Sequence, residues 1–312
     1  MSDRSNRQII CEVLSEHARS GDRDIVVLCS DSRGSASLSP FAEEFPDQFV
    51  EMGIAEQSLV STAAGLAACG KKAYAASPAC FLTTRSLEQI KVDVAYSHTG
   101  VKLIGISGGI SYGALGMTHH SAQDIAAVAS IPGMRVFLPC DRFETQALME
   151  ALLEDNEPAY IRVARTPSPD VYSAPLKGFL PGKAIELRAG GDVTLIACGE
   201  MVSAAQKAAA LLEAGGISAR VLDFCSLKPF DEEAVVRAAQ ETRGIVTMEE
   251  HVRTGGLGSM AAQVTAEHCP CPVICLTLPD SPVIAGTAPE VFEYYGLTPE
   301  KMAEAARKVA SR

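Results

Sequence analysis

A two-domain α/β fold, each domain a mostly parallel sheet flanked by helices, follows from three features of this 312-residue sequence. Short β-branched runs alternate with helix-period runs from end to end, the pattern of parallel α/β architecture. One stretch, TPSPDVYSAPLKGFLPG at 166–182, holds four prolines and breaks that alternation once. The length suffices for two cores, and no repeat of fixed period is present. The expected division is a first domain over 1–168, a linker over 169–188 and a second domain over 189–312.

The elements can be taken in order. The polar start, MSDRSNRQIICEVLSEHARSGD, is helical in period and has no apolar core of a signal peptide. Expected strands of the first domain are DIVVLCSD, KKAYAAS, VKLIGIS, MRVFLPC and AYIRVAR, with FVEM at 49–52 as a further extended run. Helices are expected between them at EQSLVSTAAGLAAC, SLEQIKVDVAYS, SAQDIAAVASI and DRFETQALMEALLED. In the second domain DVTLIACG, ARVLDFCS, GIVTMEEH and CPVICLTL read as strands. MVSAAQKAAALLEAGG and DEEAVVRAAQE read as the helices separating them, and TPEKMAEAARKVASR as a closing amphipathic helix.

Composition excludes several classes of partner. A net charge of −11 argues against nucleic acid and anionic membranes, although a local basic pocket for a phosphate or sulfonate is compatible with it. No stretch approaches the roughly 18 apolar residues of a membrane span. Most of the 10 cysteines sit in apolar strand-like runs, as reduced thiols of a cytoplasmic protein would. The close pair Cys269 and Cys271 lacks zinc-site spacing, so no metal site is expected in this chain.

Candidate chemistry gathers in a few places. The Gly-rich loop GISGGISYGALGMTHH follows the strand VKLIGIS, and ligands of parallel sheets sit beyond the carboxyl ends of strands. Its two histidines, His119 and His120, are suited to hydrogen-bonding a substrate oxygen or shuttling a proton, or are simply solvated. In FVEMGIAEQSLVSTAAGLAACG the extended run breaks at Gly53 and a small-residue helix opens on one acid, Glu56. A first-turn acid also has an ordinary explanation, a favourable ~0.3–1 kcal/mol with the helix dipole. Arg165, at a strand end before the prolines, reads as an anion clamp or a surface residue of the domain junction. Neither GxxxxGK[ST] nor GxGxxG opening a helix occurs, which removes support for nucleotide binding, and the GxSxG strings GISGG and GISYG lie within a Gly-rich loop rather than at a strand-to-helix elbow, which weakens an α/β-hydrolase reading.

Taken together and in order, these segments resemble the transketolase family. MGIAEQSLVSTAAGLAACGKKAYAAS is similar to the segment of transketolases and 1-deoxyxylulose-5-phosphate synthases that begins the pyrimidine-binding face for thiamine diphosphate. GALGMTHHSAQDIA resembles their G-x-T-H-Q loop, EPAYIRVAR their strand ending in a substrate-phosphate arginine, and KPFDEEAVV with GIVTMEEHVRTGGLGS their C-terminal domain. The resemblance spans residues 10–305. It implies that Glu56 bonds N1′ of the cofactor's aminopyrimidine and favours its imino tautomer, an acid in an apolar pocket being able to share a proton with a ring nitrogen. It implies that Phe81 stacks on that ring and that Ile54 is a further cofactor contact. His119 would meet the sugar intermediate, Arg165 and Ser35 the substrate anion, and His120, standing where a Gln is usual, the substrate.

Two departures bear on substrate choice. Leu115 replaces an acid that reads a sugar hydroxyl, and Ser107 replaces a histidine near the phosphate, so an unusual ketose donor is expected. The GDG signature of the family's diphosphate domain is absent from these 312 residues. The resemblance therefore implies one subunit of a split enzyme: a partner transketolase N-terminal subunit would hold the diphosphate and its Mg²⁺ or Ca²⁺, in an α₂β₂ assembly acting on sugar phosphates. The neighbouring readings are the β-subunit of a 2-oxoacid dehydrogenase, a deoxyxylulose-type synthase, and a non-catalytic paralogue.

Overall fold

The computed structural model describes residues 4–311, which form two α/β units. The first is built on β1 (Ile25–Cys29), β2 (Phe49–Glu51), β3 (Lys72–Pro78), β4 (Lys102–Ile106), β5 (Arg135–Phe137) and β6 (Ala159–Val163), all mutually parallel. The second holds β7 (Ile185–Arg188), β8 (Val193–Ala197), β9 (Ala219–Asp223), β11 (Ile245–Val252) and β12 (Val273–Leu278), in the order β12-β11-β8-β9-β7. β1, β4, β6 and β8 are buried along their whole length, as strands covered by helices on both faces must be, and so they read in sequence as unbroken apolar runs.

Helices cover both faces. Asn6–Arg19 begins at a capping box, with Ser5 and Gln8 each satisfying the other's backbone amide, and buries Ile9, Ile10, Val13 and Leu14. It packs on the helix Arg142–Leu153, whose first amides, Phe143 and Glu144, both donate to Asp141 at 2.9 Å. Glu56–Ala68 has no side-chain cap and buries Leu59, Val60, Ala63 and Ala64. In the second unit Pro299–Ala310 lays Met302, Ala306 and Val309 on a cluster that includes Leu195 and Val246.

The structure differs from the sequence reading in three respects. Ile185–Arg188, placed in the linker, is an edge strand antiparallel to β9. ARVLDFCS does not form one strand: β9 stops at Asp223, and Ser226–Lys228, our β10, crosses to the first sheet and pairs antiparallel with β5. Lys228 Nζ fixes the crossing by donating to the carbonyls of Ala129 (2.7 Å) and Ile131 (2.6 Å). The first sheet thus has seven strands, β10-β5-β6-β4-β3-β1-β2. Finally, Ala79–Arg85, Leu257–His268 and Ala288–Tyr295 are helices that the periodicity did not single out.

Candidate active site

Every predicted site residue lies beyond the carboxyl end of a parallel strand: Ser35 after β1, Ile54 and Glu56 after β2, Phe81 after β3, the two histidines after β4 and Arg165 after β6. The turn before Glu56 is set by Glu51, whose Oε1 accepts from the amides of Asp31 (2.7 Å) and Gly53 (3.1 Å). Gly53 takes φ +70°, which an L side chain resists, and so allows the sharp entry into the helix. Glu56 is the first helical residue and only 5% exposed.

From Glu56 a chain of contacts runs across the strand ends. Arg85 Nη1 donates to Glu56 Oε1 at 2.8 Å, and the guanidinium carbon lies over the Phe81 ring, 4.0 Å from its centroid. Phe81 meets His119 edge to face, centroids 5.1 Å apart. His119 meets Tyr112 in the same way at 5.4 Å, and Arg165 lies over Tyr112 at 4.9 Å. His119 Nδ1 pairs with the Thr118 hydroxyl at 3.0 Å. Arg7, from the N-terminal helix, closes the far end by donating to the carbonyls of Ser35 and Arg165. Burial, and then the charge of Arg165, pull the Arg7 guanidinium below its usual range. Two cations therefore converge on one small region. The site brings together Glu56, Phe81, His119, Arg165 and Ser35 as the sequence reading grouped them.

His120 is placed differently from its neighbour. It is 3% exposed and its Nε2 donates to the Gly113 carbonyl at 3.0 Å, so it closes the loop on itself. Burial pushes its pKa down, the Gly113 bond opposing, which keeps the imidazole neutral with the proton on Nε2. Leu115 and Met117 project from the same loop at 53% and 44% exposure, and Ile54 at 76%. Ser107 is buried with φ +56°.

The loop's base is built by the second domain. Gly109 and Ser121 pair across it, and the Ile110 amide donates to Glu250 Oε1 at 2.6 Å. Arg162 grips Glu250 through its carbonyl (2.9 Å) and carboxylate (3.2 Å), and Asp124 at 3.5 Å. Tyr160 donates to Asp124 at 2.7 Å, and His251 Nε2 accepts from the Ala126 amide at 3.3 Å. Burial opposes the Arg162 charge, but Asp124 and Glu250 outweigh it and hold the guanidinium protonated. Burial together with nearby Glu200 raises the Glu250 pKa well above the carboxylate range, and burial lifts Glu200 to about 7. Arg7, Arg85, Tyr112, Arg162 and Glu250 had no assigned role in the sequence. Only Arg85 carried a usable signal, four residues after Phe81 on one short helix.

The geometry indicates what the pocket can accept. One guanidinium lies over Phe81 and donates an N–H to a buried carboxylate, which is the donor arrangement of a flat nitrogen ring seated on an aromatic face. Comparison with known proteins is consistent with that chemistry. Residues 3–169 match the model of the transketolase pyrimidine-binding domain, and residues 182–302 that of the transketolase C-terminal domain.

The chain belongs to the transketolase family.

It is 48% identical over 307 residues to a subunit of the apulose-4-phosphate transketolase of Phocaeicola vulgatus, covering 97% of this chain and 98% of that one. It is 38% identical to the 6-deoxy-6-sulfo-D-fructose transketolase subunit SqwH of a Clostridium species, covering 98% and 94%. Against 1-deoxy-D-xylulose-5-phosphate synthase of Heliobacterium modesticaldum it is 36% identical, but spans 47% of that protein. Among solved structures, a split-gene transketolase described as an inactive β4 tetramer superposes with TM-score 0.89 at 37% identity, covering 99% of both chains. A transketolase from Pichia stipitis superposes at 0.82 over 46% of its length, and at 20% identity that likeness shows the fold alone.

Proposed function

We propose that this transketolase subunit works with a separate diphosphate-binding subunit, together moving a two-carbon ketol unit from an anionic ketose to an aldose. The observation that carries the reading is the pairing of buried Glu56 with a flat cationic donor lying over Phe81, 2.8 Å from the carboxylate. When bound, thiamine diphosphate supplies the carbanion chemistry that breaks and makes the carbon–carbon bond. Glu56 holds or takes the proton of the ring nitrogen placed against it, and Phe81 offers the ring a flat apolar face. His119, fixed by Thr118 and wedged between Phe81 and Tyr112, keeps Nε2 for a substrate oxygen and steadies charge as it develops there. Arg165 and Arg7, flanking Ser35, form the cationic end that an anionic ketose terminus would meet. His120 acts from behind, holding the Gly113 carbonyl and so the shape of the loop.

The need for a partner is supported by what lies uncovered. Ile54, Leu115 and Met117 project exposed apolar surface around a buried acid, an arrangement suited to burial under another chain. Two of the relatives above are named as subunits, and the partner is where the diphosphate and its Mg²⁺ or Ca²⁺ belong in this reading. The one cluster of three metal-capable side chains among the described residues, Cys140, Glu144 and Asp223, sits at the seam between the domains. The exposed Leu115 presents methyl groups where an acid would read a sugar hydroxyl, which favours a deoxy or branched ketose carrying a phosphate or sulfonate.

Co-expression with the partner, followed by a screen of phosphorylated, sulfonated and branched ketoses, tests the proposal. Ketol transfer is expected, and Glu56→Gln is expected to lower kcat by about 10²–10⁴-fold. Full activity of Glu56→Gln, or acylation of a lipoyl domain from pyruvate by the unmutated complex, would refute it.

A further inference from the structure

We infer that Arg85 is a place-holder: its guanidinium occupies the seat of the cofactor's aminopyrimidine ring and has to swing out before the ring can dock. The inference rests on the reading of Glu56 and Phe81 as that seat and adds a competitor built into the chain. Both contacts that define the seat are made by one group, the 2.8 Å bond to Glu56 Oε1 and the 4.0 Å approach to the Phe81 centroid. A ring lying over Phe81 with a nitrogen on Glu56 would occupy the same layer of space, so ring and guanidinium exclude one another.

Physical chemistry explains why a place-holder is there. A carboxylate only 5% exposed is unfavourable without a counter-charge, and Arg85 is the cation paired with Glu56 among the described residues. It holds the carboxylate aimed while the ring is absent. Arg85 is also built to leave. It is the last residue of the helix Ala79–Arg85 and its side chain is 48% exposed, so a change of rotamer carries the charge into water without opening a cavity. A cation beside a helix carboxyl end remains favourable after the swing. On displacement Glu56 loses a permanent positive charge and gains a ring nitrogen with which it can share a proton. The exchange thus couples docking of the ring to release of the carboxylate for its task.

The distinguishing feature of a place-holder is the sign of its removal. A residue that merely supports the pocket weakens ligand binding when it is lost, whereas a competitor strengthens it. Thiamine, which carries the aminopyrimidine and no diphosphate, is the probe, and saturation-transfer NMR on the purified full chain reads weak binding directly. Arg85→Ala is expected to bind thiamine about three- to tenfold more tightly than the unmutated chain, an ion pair with one partner half exposed and a cation–ring contact each being worth a few-fold. Arg85→Lys, which keeps the ion pair but lacks the flat fork, is expected to fall between the two. Glu56→Gln, alone and combined with Arg85→Ala, is expected to remove most of the binding. Equal or weaker binding by Arg85→Ala, with the Glu56 dependence intact, overturns the place-holder and leaves the seat standing. Binding that ignores Glu56→Gln, or no binding by either the unmutated chain or Arg85→Ala, overturns the seat and the place-holder with it. A thermal melt of each variant separates these outcomes from loss of fold.

Discussion

Arg162→Met tests how the second domain supports the histidine loop. The guanidinium is 5% exposed and faces Asp124 at 0% and Glu250 at 5% side-chain exposure. Met roughly fills its volume but leaves those acids, with Glu200 behind them, in an apolar seam without a counter-charge. Breaking a buried ion pair on one side in this way costs about 3–5 kcal/mol. For a domain of this size that lowers Tm by roughly 6–20 °C. The loss should depend on pH, because the stranded acids can take up protons: it is expected to be larger at pH 8 than at pH 5.5. Calorimetry at the two pH values reads the stability, and amide exchange of Ile110, whose N–H donates to Glu250, reads the loop. Adding Glu250→Gln to Arg162→Met should restore about 1–3 kcal/mol, since the amide still accepts from Ile110 without a charge. A loss below about 1 kcal/mol at pH 8, or equal losses at both pH values, would refute the reasoning.

Two further predictions follow from the seam between the domains. Asp223 of β9 is fully buried beside Glu144 and accepts from Tyr172 (2.9 Å) and Cys140 (3.3 Å), and burial raises its pKa to about 7 from 3.8. The folded protein thus holds a proton that the unfolded chain has released, so this contribution is complete below about pH 4 and is lost as pH rises through about 7. It is worth up to ~4 kcal/mol. Melting temperature is expected to fall from pH 5 to pH 8, and Asp223→Asn to flatten that slope in part, Glu249 at about 7 supplying another share; an unchanged slope would contradict the assignment. Gly109→Ala is expected to destabilise by more than about 2 kcal/mol in a denaturant titration. Its φ is +58°, and an added Cβ would stand 2.1 Å from Glu250 Cδ and 2.2 Å from Arg162 Nη2.

Much of the fold was legible in the sequence, for identifiable reasons. Strands buried on both faces read as continuous apolar runs, which is why β1, β4, β6 and β8 were found close to their observed limits. Glu56, Phe81, His119 and Arg165 could be grouped because strand-end motifs recur in a fixed order, and the topology brings strand ends together. What escaped depends on distance in the chain. β10 is three residues long, and its register, Ser226 against Phe137 and Lys228 against Val136, is fixed by a strand some ninety positions upstream. Arg7 reaches Ser35 and Arg165 only once the N-terminal helix has docked. His120 shows the limit of reading a loop residue by its neighbour: adjacent positions in an irregular turn point opposite ways, and burial on the Gly113 carbonyl separates it from His119.

The second domain had no chemical role in the sequence, and the geometry supplies one. A loop of irregular backbone carries amides that no strand or helix satisfies, and buried amides have to be paired. The turn after β4 is drawn inward at Gly108 and Gly109, where a Cβ would strike Arg162 and Glu250, so water is replaced there by protein. Glu250 supplies the acceptor for Ile110, and the Val252 amide donates to the Ala122 carbonyl at 3.0 Å on the far side of the loop. Both come from β11, the strand that also positions His251 against Ala126. The loop that holds His119 is therefore shaped from outside its own domain. Since β10 completes the first sheet from the same source, the first domain alone would lose a strand and the floor of its site together. The two α/β units act as one scaffold for the site, with β11 as the strand that braces it.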